Sequence, residues 1–388
     1  MITTDAWVLY EGPLKAARNN TEPAELKLEP FTFADINPQE ALVEPIYGCW
    51  EGNMTHAVER RPIDICQQRR ERKVVLGNAG VVRVLKTGAS VKSVKEGDLC
   101  LVFCNGVWDQ RGYPKKIFGY DAPGSVGLLA KRTKLNERQL IPIPSPTRHS
   151  LPQWAAFSLR YITAWANWRL AYGCWRLQAC EEDGVSPFVW GWGGGVTLAE
   201  LMLARFSGCR VAMISSRDER LAMIARMGIM PIDRRQFGRL HFNQEEYNAN
   251  PEARRAYQEA EDLFLETVRK KTLGSGVSVF IDFIGLPVFR ATVKALARPG
   301  VITTAGWKEG MNLSTVRAIE CMNWHIHVYT HYARYQDGVE AVRFAEENTW
   351  VPEIEGDIYA WDSIPLLAQQ HARRQLSMYF PVFQINTL

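Results

Sequence analysis

No stretch of this 388-residue chain approaches the roughly 20 consecutive apolar residues that span a bilayer. The first ten residues carry Asp5 and lack a basic region followed by an apolar core. The sequence therefore predicts neither a membrane span nor a leader, and places the chain in the cytoplasm. Charge of one sign is scarce: 46 Lys and Arg stand against 42 Asp and Glu, a formal net charge of +4. No basic-aromatic recognition motif accompanies that mild excess, so nucleic acid is not an expected partner. Eight cysteines (Cys49, Cys66, Cys100, Cys104, Cys174, Cys180, Cys209 and Cys321) are scattered along the chain and do not form a disulfide framework. Cys100 and Cys104 have no second pair at zinc-site spacing, so no structural zinc is expected. The length suggests about two domains, and 46% hydrophobic residues suffice to bury both.

What is present is concentrated in one passage. The apolar run Phe188-Val189-Trp190 enters Gly191-Trp192-Gly193-Gly194-Gly195-Val196-Thr197 and then an amphipathic stretch from Leu198 to Phe206. A buried strand, a turn too tight for side chains and a helix N-terminus with outward N–H groups make a receptacle for a dinucleotide pyrophosphate. Glycines alone are weak evidence, because any tight turn between a strand and its crossover helix favours them. Residues 209–214 supply a second short buried strand at the distance a βαβ unit demands. At the end of such a strand an acid would bind the ribose 2′-hydroxyl of NAD, whereas hydroxyls and arginine accept a 2′-phosphate. Ser215-Ser216-Arg217 stand there, with Asp218 and Glu219 only afterwards, which favours NADP(H). The same residues also fit a helix cap, Ser215 or Ser216 as N-cap with Glu219 completing a capping box after Ser216, and the two roles can coexist.

The first 150 residues read as β-rich, with apolar or alternating runs at 7–10, 41–47, 80–85 and 99–103, and predict a partly open barrel. From about 151 to 331 helices alternate with strands, the pattern of a doubly wound parallel sheet. Residues 332–388 hold helices at 335–347 and 364–374 and a closing apolar strand at 378–385, expected to return to the barrel. A polar helical excursion over 235–272 reads as a solvated surface helix.

Several local phrases follow one another: Val75-Leu76-Gly77-Asn78-Ala79-Gly80-Val81-Val82 before a Gly88 turn, Val94-Lys95-Glu96-Gly97-Asp98 before a strand, Thr163-Ala164-Trp165, the glycine turn, and Asp282-Phe283-Ile284-Gly285. Their order resembles the medium-chain dehydrogenase/reductase superfamily over nearly the whole chain. Within it, Ile117-Phe118-Gly119-Tyr120-Asp121, Val189-Trp190-Gly191, Ile232-Asp233-Arg234-Arg235-Gln236-Phe237 and His331-Tyr332 resemble the crotonyl-CoA carboxylase/reductase group and related enoyl-thioester reductases. The resemblance implies an α/β chain with a GroES-like β-rich catalytic domain over 1–157 and 332–388. A Rossmann-type doubly wound parallel sheet domain would occupy 158–331. It also implies a homodimer through edge strands of the nucleotide domain. The cofactor contacts it implies come from Thr163, Gly191, Trp192, Gly193, Gly194, Gly195, Val196, Ser215, Ser216, Arg217, Ile284 and Gly306.

Zinc enzymes of the superfamily hold the metal with a Cys, a His and a further Cys or acid. Cys49 matches the first, but Asn78 stands at the second and Leu159 near the third, so no metal is expected and Cys49 reads as a packed thiol. Zinc-free members of this type reduce carbon–carbon double bonds conjugated to a carbonyl. An enolate oxygen then needs hydrogen-bond donors. Tyr47 is one candidate donor, or else a packed strand tyrosine; Asn78 is another, or else a turn residue. His331 matches a histidine of the carboxylating group, but its companion asparagine falls near Gly48 and no acidic partner is evident beside Leu159-Arg160, so carboxylation is not expected. Two departures bear on the cofactor: Trp192 puts an indole into the phosphate turn, and Thr197 replaces the last glycine. Trp50, Trp108, Trp192 and Trp307 could line an apolar cleft. Arg60, Arg61, Arg69, Arg70, Arg72 and Lys73 form a basic run that reads either as a solvated face or as a dock for coenzyme A phosphates or an acidic carrier protein.

The leading expectation is an NADPH-dependent reductase of an α,β-unsaturated acyl thioester, CoA- or carrier-bound, serving polyketide or other acyl-chain biosynthesis. A quinone or enone oxidoreductase and a cofactor-impaired homologue with a binding or non-redox role are the alternatives.

Overall fold

A computed structural model of the protein describes residues 1–13, 22–179, 186–306, 308–310 and 312–388. Cys180 and Trp307, both singled out in the sequence, lie outside the described residues. The chain forms two compact units: Met1–Ile162 with Ala333–Leu388, and Thr163–Tyr332.

The first unit is built on the strand Glu40–Cys49, whose alternating residues Ala41 and Val43, with Ile46, are buried. It pairs antiparallel with Gly80–Thr87 along its length, with Thr133–Asn136 at its start and with Val382–Gln384 at its end. Leu99–Val102 and Leu140–Pro142 extend the sheet beyond Gly80–Thr87. The register slips at Leu42/Val43 and again at Pro45/Tyr47. Proline cannot donate to a ladder and slips of this kind bend a strand, so the sheet curls into an open half-barrel around Val43, Val82, Val84, Val102, Leu128 and Leu135. The C-terminal strand does return here, shortened to Val382–Gln384, and Phe383 is fully buried against Gly48. A Cβ on Gly48 would lie 2.3 Å from the Phe383 ring, so only glycine admits that ring.

One expectation needs correction. The run at 7–10 belongs to the strand Ile2–Tyr10 of a separate three-stranded sheet, flanked by Lys27–Phe33 and Lys73–Val75. Lys27–Phe33 escaped the sequence reading because its residues are mostly exposed and carry no apolar alternation.

In the second unit six strands form one parallel sheet in the order Met230–Asp233, Arg210–Ser215, Phe188–Trp192, Val277–Asp282, Leu296–Thr304, His325–Tyr329. Numbered along the chain this is 3-2-1-4-5-6, the doubly wound dinucleotide order, with its switch point between Phe188–Trp192 and Val277–Asp282. The excursion over 235–272 is solvated on one face only. Its main helix, Pro251–Lys271, is started by Asn250, whose side chain accepts from the Glu252 and Ala253 N–H groups, and by Pro251 in the first turn. It ends in Arg269, Lys270 and Lys271, complementing the helix dipole. Tyr257, Ala260, Phe264 and Val268 fall on one stripe and are buried in the cluster with Trp190 and Trp192 of the sheet. No helix among the described residues is long and apolar enough to cross a membrane.

Candidate functional site: a phosphate turn, a strand-end crevice and a buried polar cluster

In an open parallel sheet, ligands bind outside the C-terminal ends of the strands at the switch point. The strand Phe188–Trp192 is fully buried and alternates, so Phe188, Trp190 and Trp192 share one face and join one core cluster. The Trp192 indole therefore does not enter the phosphate turn. It stacks on Phe264 at a centroid distance of 5.1 Å, tilts against Phe280 at 5.3 Å, and donates its N–H to the Thr292 hydroxyl at 3.1 Å. The expected crowding is overturned, and the reason is the helix Pro251–Lys271, which covers that face.

Thr197 likewise does not hold strand and helix apart. A Cβ on Gly191 would lie 2.5 Å from Thr197 Cγ2, and one on Gly193 2.3 Å from Thr197 Oγ1. The close approach that the missing glycine would give is instead supplied by Gly191 and Gly193, into whose bare backbone Thr197 packs. Gly193 also has φ +153°, a conformation side chains disfavour. Gly194 is the N-cap of the helix Gly195–Phe206, with no side-chain cap, and no atom stands within 4 Å of where its Cβ would be. The turn thus presents main chain alone to open space, at a helix end whose first N–H groups have no intrahelical partners. These residues fit a pyrophosphate.

At the neighbouring strand end, Ser215 is half-buried and Ser216 exposed. The following helix is Asp218–Arg226 with Arg217 as N-cap, so the capping box from Ser216 to Glu219 does not form and neither serine is the cap. Asp218 is ion-paired with Arg235 at 2.5 Å, and the same guanidinium holds Asp233 at 2.8 Å. That guanidinium keeps the Asp218 carboxyl below its usual value. Arg235 was not singled out as a site residue in the sequence; it offsets part of the negative charge of Asp218 and Asp233 next to Ser215, Ser216 and Arg217.

Beyond the switch point Asp282 is buried. Its carboxylate accepts from the N–H groups of Ile284 at 2.9 Å and Gly285 at 3.0 Å, and from the Thr292 hydroxyl at 3.4 Å. Burial pushes its pKa up to about 6. The carboxyl shapes the turn that carries Ile284. A crevice of about 250 Å³ opens there, lined by Asp282, Gly285, Ile302, Thr304, Gly306 and Leu313 among others. His331 follows the edge strand; its Nδ1 lies 3.2 Å from the Ala305 carbonyl and its ring 4.1 Å from that of Tyr332. Thr163 is buried at the first position of this unit, in the helix Leu151–Arg176. His325 and His327, on the edge strand, both bond Glu320, at 3.1 and 2.9 Å.

The antiparallel unit holds Tyr47, Asn78 and a polar cluster the sequence did not reveal. Tyr47 is half-buried, and no partner for its hydroxyl is found among the described residues. Asn78 is fully buried and neither amide atom has a partner. It precedes Ala79, whose carbonyl accepts from the Cys49 N–H at 3.0 Å, and so adjoins Cys49. Beside Cys49, Glu51 pairs with Arg160 at 2.8 Å with both side chains buried. Arg160 also donates to the carbonyls of Trp50, at 2.7 Å, and Tyr379. Burial pushes the Cys49 thiol well above its ordinary value and holds the Glu51 carboxyl above its own despite the adjacent cation. The second Glu51 oxygen has no partner. The signal available in the sequence was the isolation of each charge: Arg160 is the one ionisable side chain with a fixed charge between Trp154 and Trp168. Among the described residues, no group of three or more His, Cys, Asp or Glu is placed to hold a metal.

The basic run at 59–73 is divided: Arg61, Arg70 and Arg72 are exposed, and the other three are committed to structure. Arg69 is buried on Glu71 and the carbonyls of Tyr120 and Ser125, Arg60 bonds Asp64, and Lys73 bonds Glu29. Nor do the tryptophans form one cleft: Trp50 is core, with its N–H on Thr55, and Trp192 is core of the other unit, while Trp108 is half-buried.

The sequence matches no protein-family model and no curated protein. Solved structures do match the whole fold. The crotonyl-CoA carboxylase/reductase AntE in complex with NADP is 19% identical, with TM-score 0.80 over 100% of this chain and 96% of that one. The 2-octenoyl-CoA carboxylase reductase CinF in complex with NADP and 2-octenoyl-CoA is 17% identical, with TM-score 0.81 over 98% of this chain and 87% of that one. The alcohol dehydrogenase of the archaeon Aeropyrum pernix is 18% identical, with TM-score 0.74 over 98% and 99%. The fold is thus a GroES-like half-barrel unit with a Rossmann-type unit. That fold is shared by the similar carboxylase/reductase and alcohol dehydrogenase structures alike.

Proposed function

We infer that the protein is an NADPH-dependent reductase of an α,β-unsaturated acyl thioester, enoyl-CoA or carrier-bound. The observation that carries this reading is the bare glycine turn: Trp192 faces the core, and Gly193, Gly194 and Gly195 offer only main chain at the helix start. The NADP in the similar carboxylase/reductase structures supports the same cofactor. In this reading Gly191 to Val196 hold the pyrophosphate and Ser215, Ser216 and Arg217 the 2′-phosphate. Thr163, Ile284 and Gly306 border the nicotinamide half. The cofactor supplies a hydride for the β-carbon of the substrate.

The charge that reduction places on the thioester oxygen needs donors, and Tyr47 and Asn78 are the groups proposed to give them. The orphaned amide of Asn78 is the stronger support, because a buried amide without partners costs about 1–3 kcal/mol that a substrate oxygen would relieve. His331, held by the Ala305 carbonyl, is assigned to orient substrate at the strand ends. The site is proposed to work without zinc: Asn78 replaces an imidazole, and Glu51 is engaged by Arg160. A homodimer through the edge strand His325–Tyr329 is supported by the exposed Ile319, Met322, Trp324 and Tyr329 beside it.

The cofactor-impaired alternative loses its main support now that the indole is out of the turn. The quinone or enone alternative is separated by turnover: purified protein should consume NADPH with crotonyl-CoA and show little loss with a quinone, and the reverse ranking would refute the acyl-thioester reading.

A further inference from the structure

An acyl-CoA substrate carries three phosphate groups and an adenine ring that must be held away from the reacting carbons, and in the basic run at 59–73 Arg60, Arg69 and Lys73 are spent on internal ion pairs. The antiparallel unit has a second cationic feature. A basin of about 350 Å³ is lined by Arg111, Arg138 and Arg334 with Phe103, Trp108 and Tyr335 among its walls. That volume lies within the about 300–1,000 Å³ usual for small-molecule sites. It is made by the hairpin Asn105–Trp108 with Pro114–Ile117, the short 3₁₀ turn at Glu137–Gln139 and the start of the helix Tyr335–Asn348.

Its chemistry is specific. Arg111 and Arg138 have no carboxylate within ion-pair distance among the described residues, and Arg334 has a single one, Asp337 at 3.5 Å. Asp109, the acid nearest Arg111 in sequence, accepts from the N–H groups of Arg111 and Tyr113, and Glu137, next to Arg138, accepts from those of Lys92 and Ser93. The guanidiniums are held on rings rather than on acids: Arg138 over Trp108 at 5.8 Å and Arg334 over Tyr113 at 5.2 Å. The floor is fixed by the edge-on pair Phe103–Tyr335 at 5.8 Å and by the Tyr335 hydroxyl on the Leu140 carbonyl at 2.9 Å. Asn105 is 3% exposed and lines the basin, its backbone carbonyl accepts from the Gln139 side-chain amide at 2.6 Å, and no partner is found for its side-chain amide nitrogen among the described residues. Unpaired guanidiniums bind phosphate, an indole stacks a planar base, and an unpaired side-chain amide reads a base edge.

We propose that this basin binds a purine nucleotide carrying phosphates on its ribose, namely the adenosine 3′,5′-bisphosphate end of coenzyme A, as a site distinct from the glycine turn. The naming of coenzyme A rests on the proposed function; the nucleotide chemistry does not. It also selects a CoA-borne over a carrier-borne thioester, since the phosphopantetheine arm of a carrier protein has no adenine.

Adenosine 3′,5′-bisphosphate, titrated calorimetrically into the full chain saturated with NADP, tests it. The bisphosphate should bind, Arg111→Ala/Arg138→Ala should raise its Kd at least tenfold, and Trp108→Ala should raise it roughly five- to a hundredfold. Both arginines are exposed, so unchanged melting temperatures should accompany the loss. Adenosine 2′,5′-bisphosphate, which mimics the NADP end, should bind more weakly here. No binding, equal binding to the double variant, a preference for the 2′,5′ isomer or an equal affinity for inorganic pyrophosphate would each overturn the proposal. Turnover separates it from the reaction. If crotonyl-CoA is reduced and its KM is unmoved in the double variant, the basin falls and the reaction stands. If no enoyl thioester is reduced while the bisphosphate binds through these arginines, the basin stands and the reaction falls.

Discussion

Replacing Trp192 decides whether its indole is a core filler or an obstruction in the phosphate turn. Its ring is buried against Phe264 and Phe280, and its N–H reaches Thr292. Trp192→Ala would open a cavity between the sheet and the helix Pro251–Lys271, and removing a buried tryptophan costs about 3–5 kcal/mol. Thr292 is not orphaned by the change, because its hydroxyl also bonds the Val288 carbonyl at 3.0 Å, so no further penalty of that kind is added. For a unit of this size each kcal/mol lowers the melting temperature by about 2–4 °C, which gives a fall of roughly 6–20 °C. Trp192→Phe keeps a ring in the stack and loses one hydrogen bond worth about 1 kcal/mol plus some packing, so its fall should be a few degrees. Thermal unfolding by circular dichroism measures the loss, and NADPH fluorescence titration well below the melting transition measures binding. The Phe variant should bind NADPH within twofold of wild type. A variant that kept its melting temperature and bound NADPH tenfold more tightly would show that the indole obstructs the turn, and the side-chain placement argued above would be wrong.

Three further outcomes follow from single groups. Arg217→Ala should raise the NADPH dissociation constant and leave that of NADH nearly unchanged by the same titration; equal effects on both would remove the 2′-phosphate contact. Asp282 has a native pKa of about 6 against an ordinary 3.8, so the folded state holds the proton more tightly than the unfolded chain. The stability it contributes is complete below about pH 4 and lost as pH rises to about 6, a change of about 3 kcal/mol. Urea midpoints of wild type and Asp282→Asn should therefore diverge across that window, with wild type losing ground as pH rises; parallel curves would mean that Asp282 does not titrate there. Arg160→Met should destabilise the antiparallel unit by about 3–5 kcal/mol, because it strands the buried Glu51 carboxylate, and Glu51→Gln added to it should recover part of the loss. Additive losses in that double-mutant cycle would contradict a direct pair.

The parallel unit was legible because its central strands are buried on both faces and bounded by glycines, so that short apolar runs, a glycine turn and amphipathic stretches recur in order. The direction of Trp192 was legible in principle, since Phe188, Trp190 and Trp192 alternate onto one face. What covers that face was not, because the covering helix begins some sixty residues later and its polar composition masks the stripe of Tyr257, Phe264 and Val268. Thr197 shows a related limit: the sequence marks a missing glycine but not that Gly191 and Gly193 give up the same space from the opposite side. In the antiparallel unit the curl depends on register slips at Pro45 and on a strand returning from residue 382, which no local pattern encodes. Glu51 and Arg160 lie more than a hundred residues apart, so their pairing could be found only by asking what each lone charge in an apolar run would meet. The arginines of the basin were invisible for the same reason, being single residues brought together from three separate segments.

The account depends on dinucleotide phosphates resting on the bare amides of the glycine turn. Gly194→Val tests this most directly, because the added side chain meets no protein atom within 4 Å at its Cβ and costs the fold only about 1 kcal/mol for valine in place of glycine at an N-cap, while standing at the helix start. Loss of one charge-assisted contact from a main-chain N–H costs about 1.5–3 kcal/mol, which is at least a tenfold rise in the NADPH dissociation constant. Fluorescence titration well below the melting transition should show wild type binding NADPH and the variant binding it at least tenfold more weakly, with a melting temperature lower by only about 2–4 °C; a variant that bound NADPH like wild type would place the phosphates elsewhere.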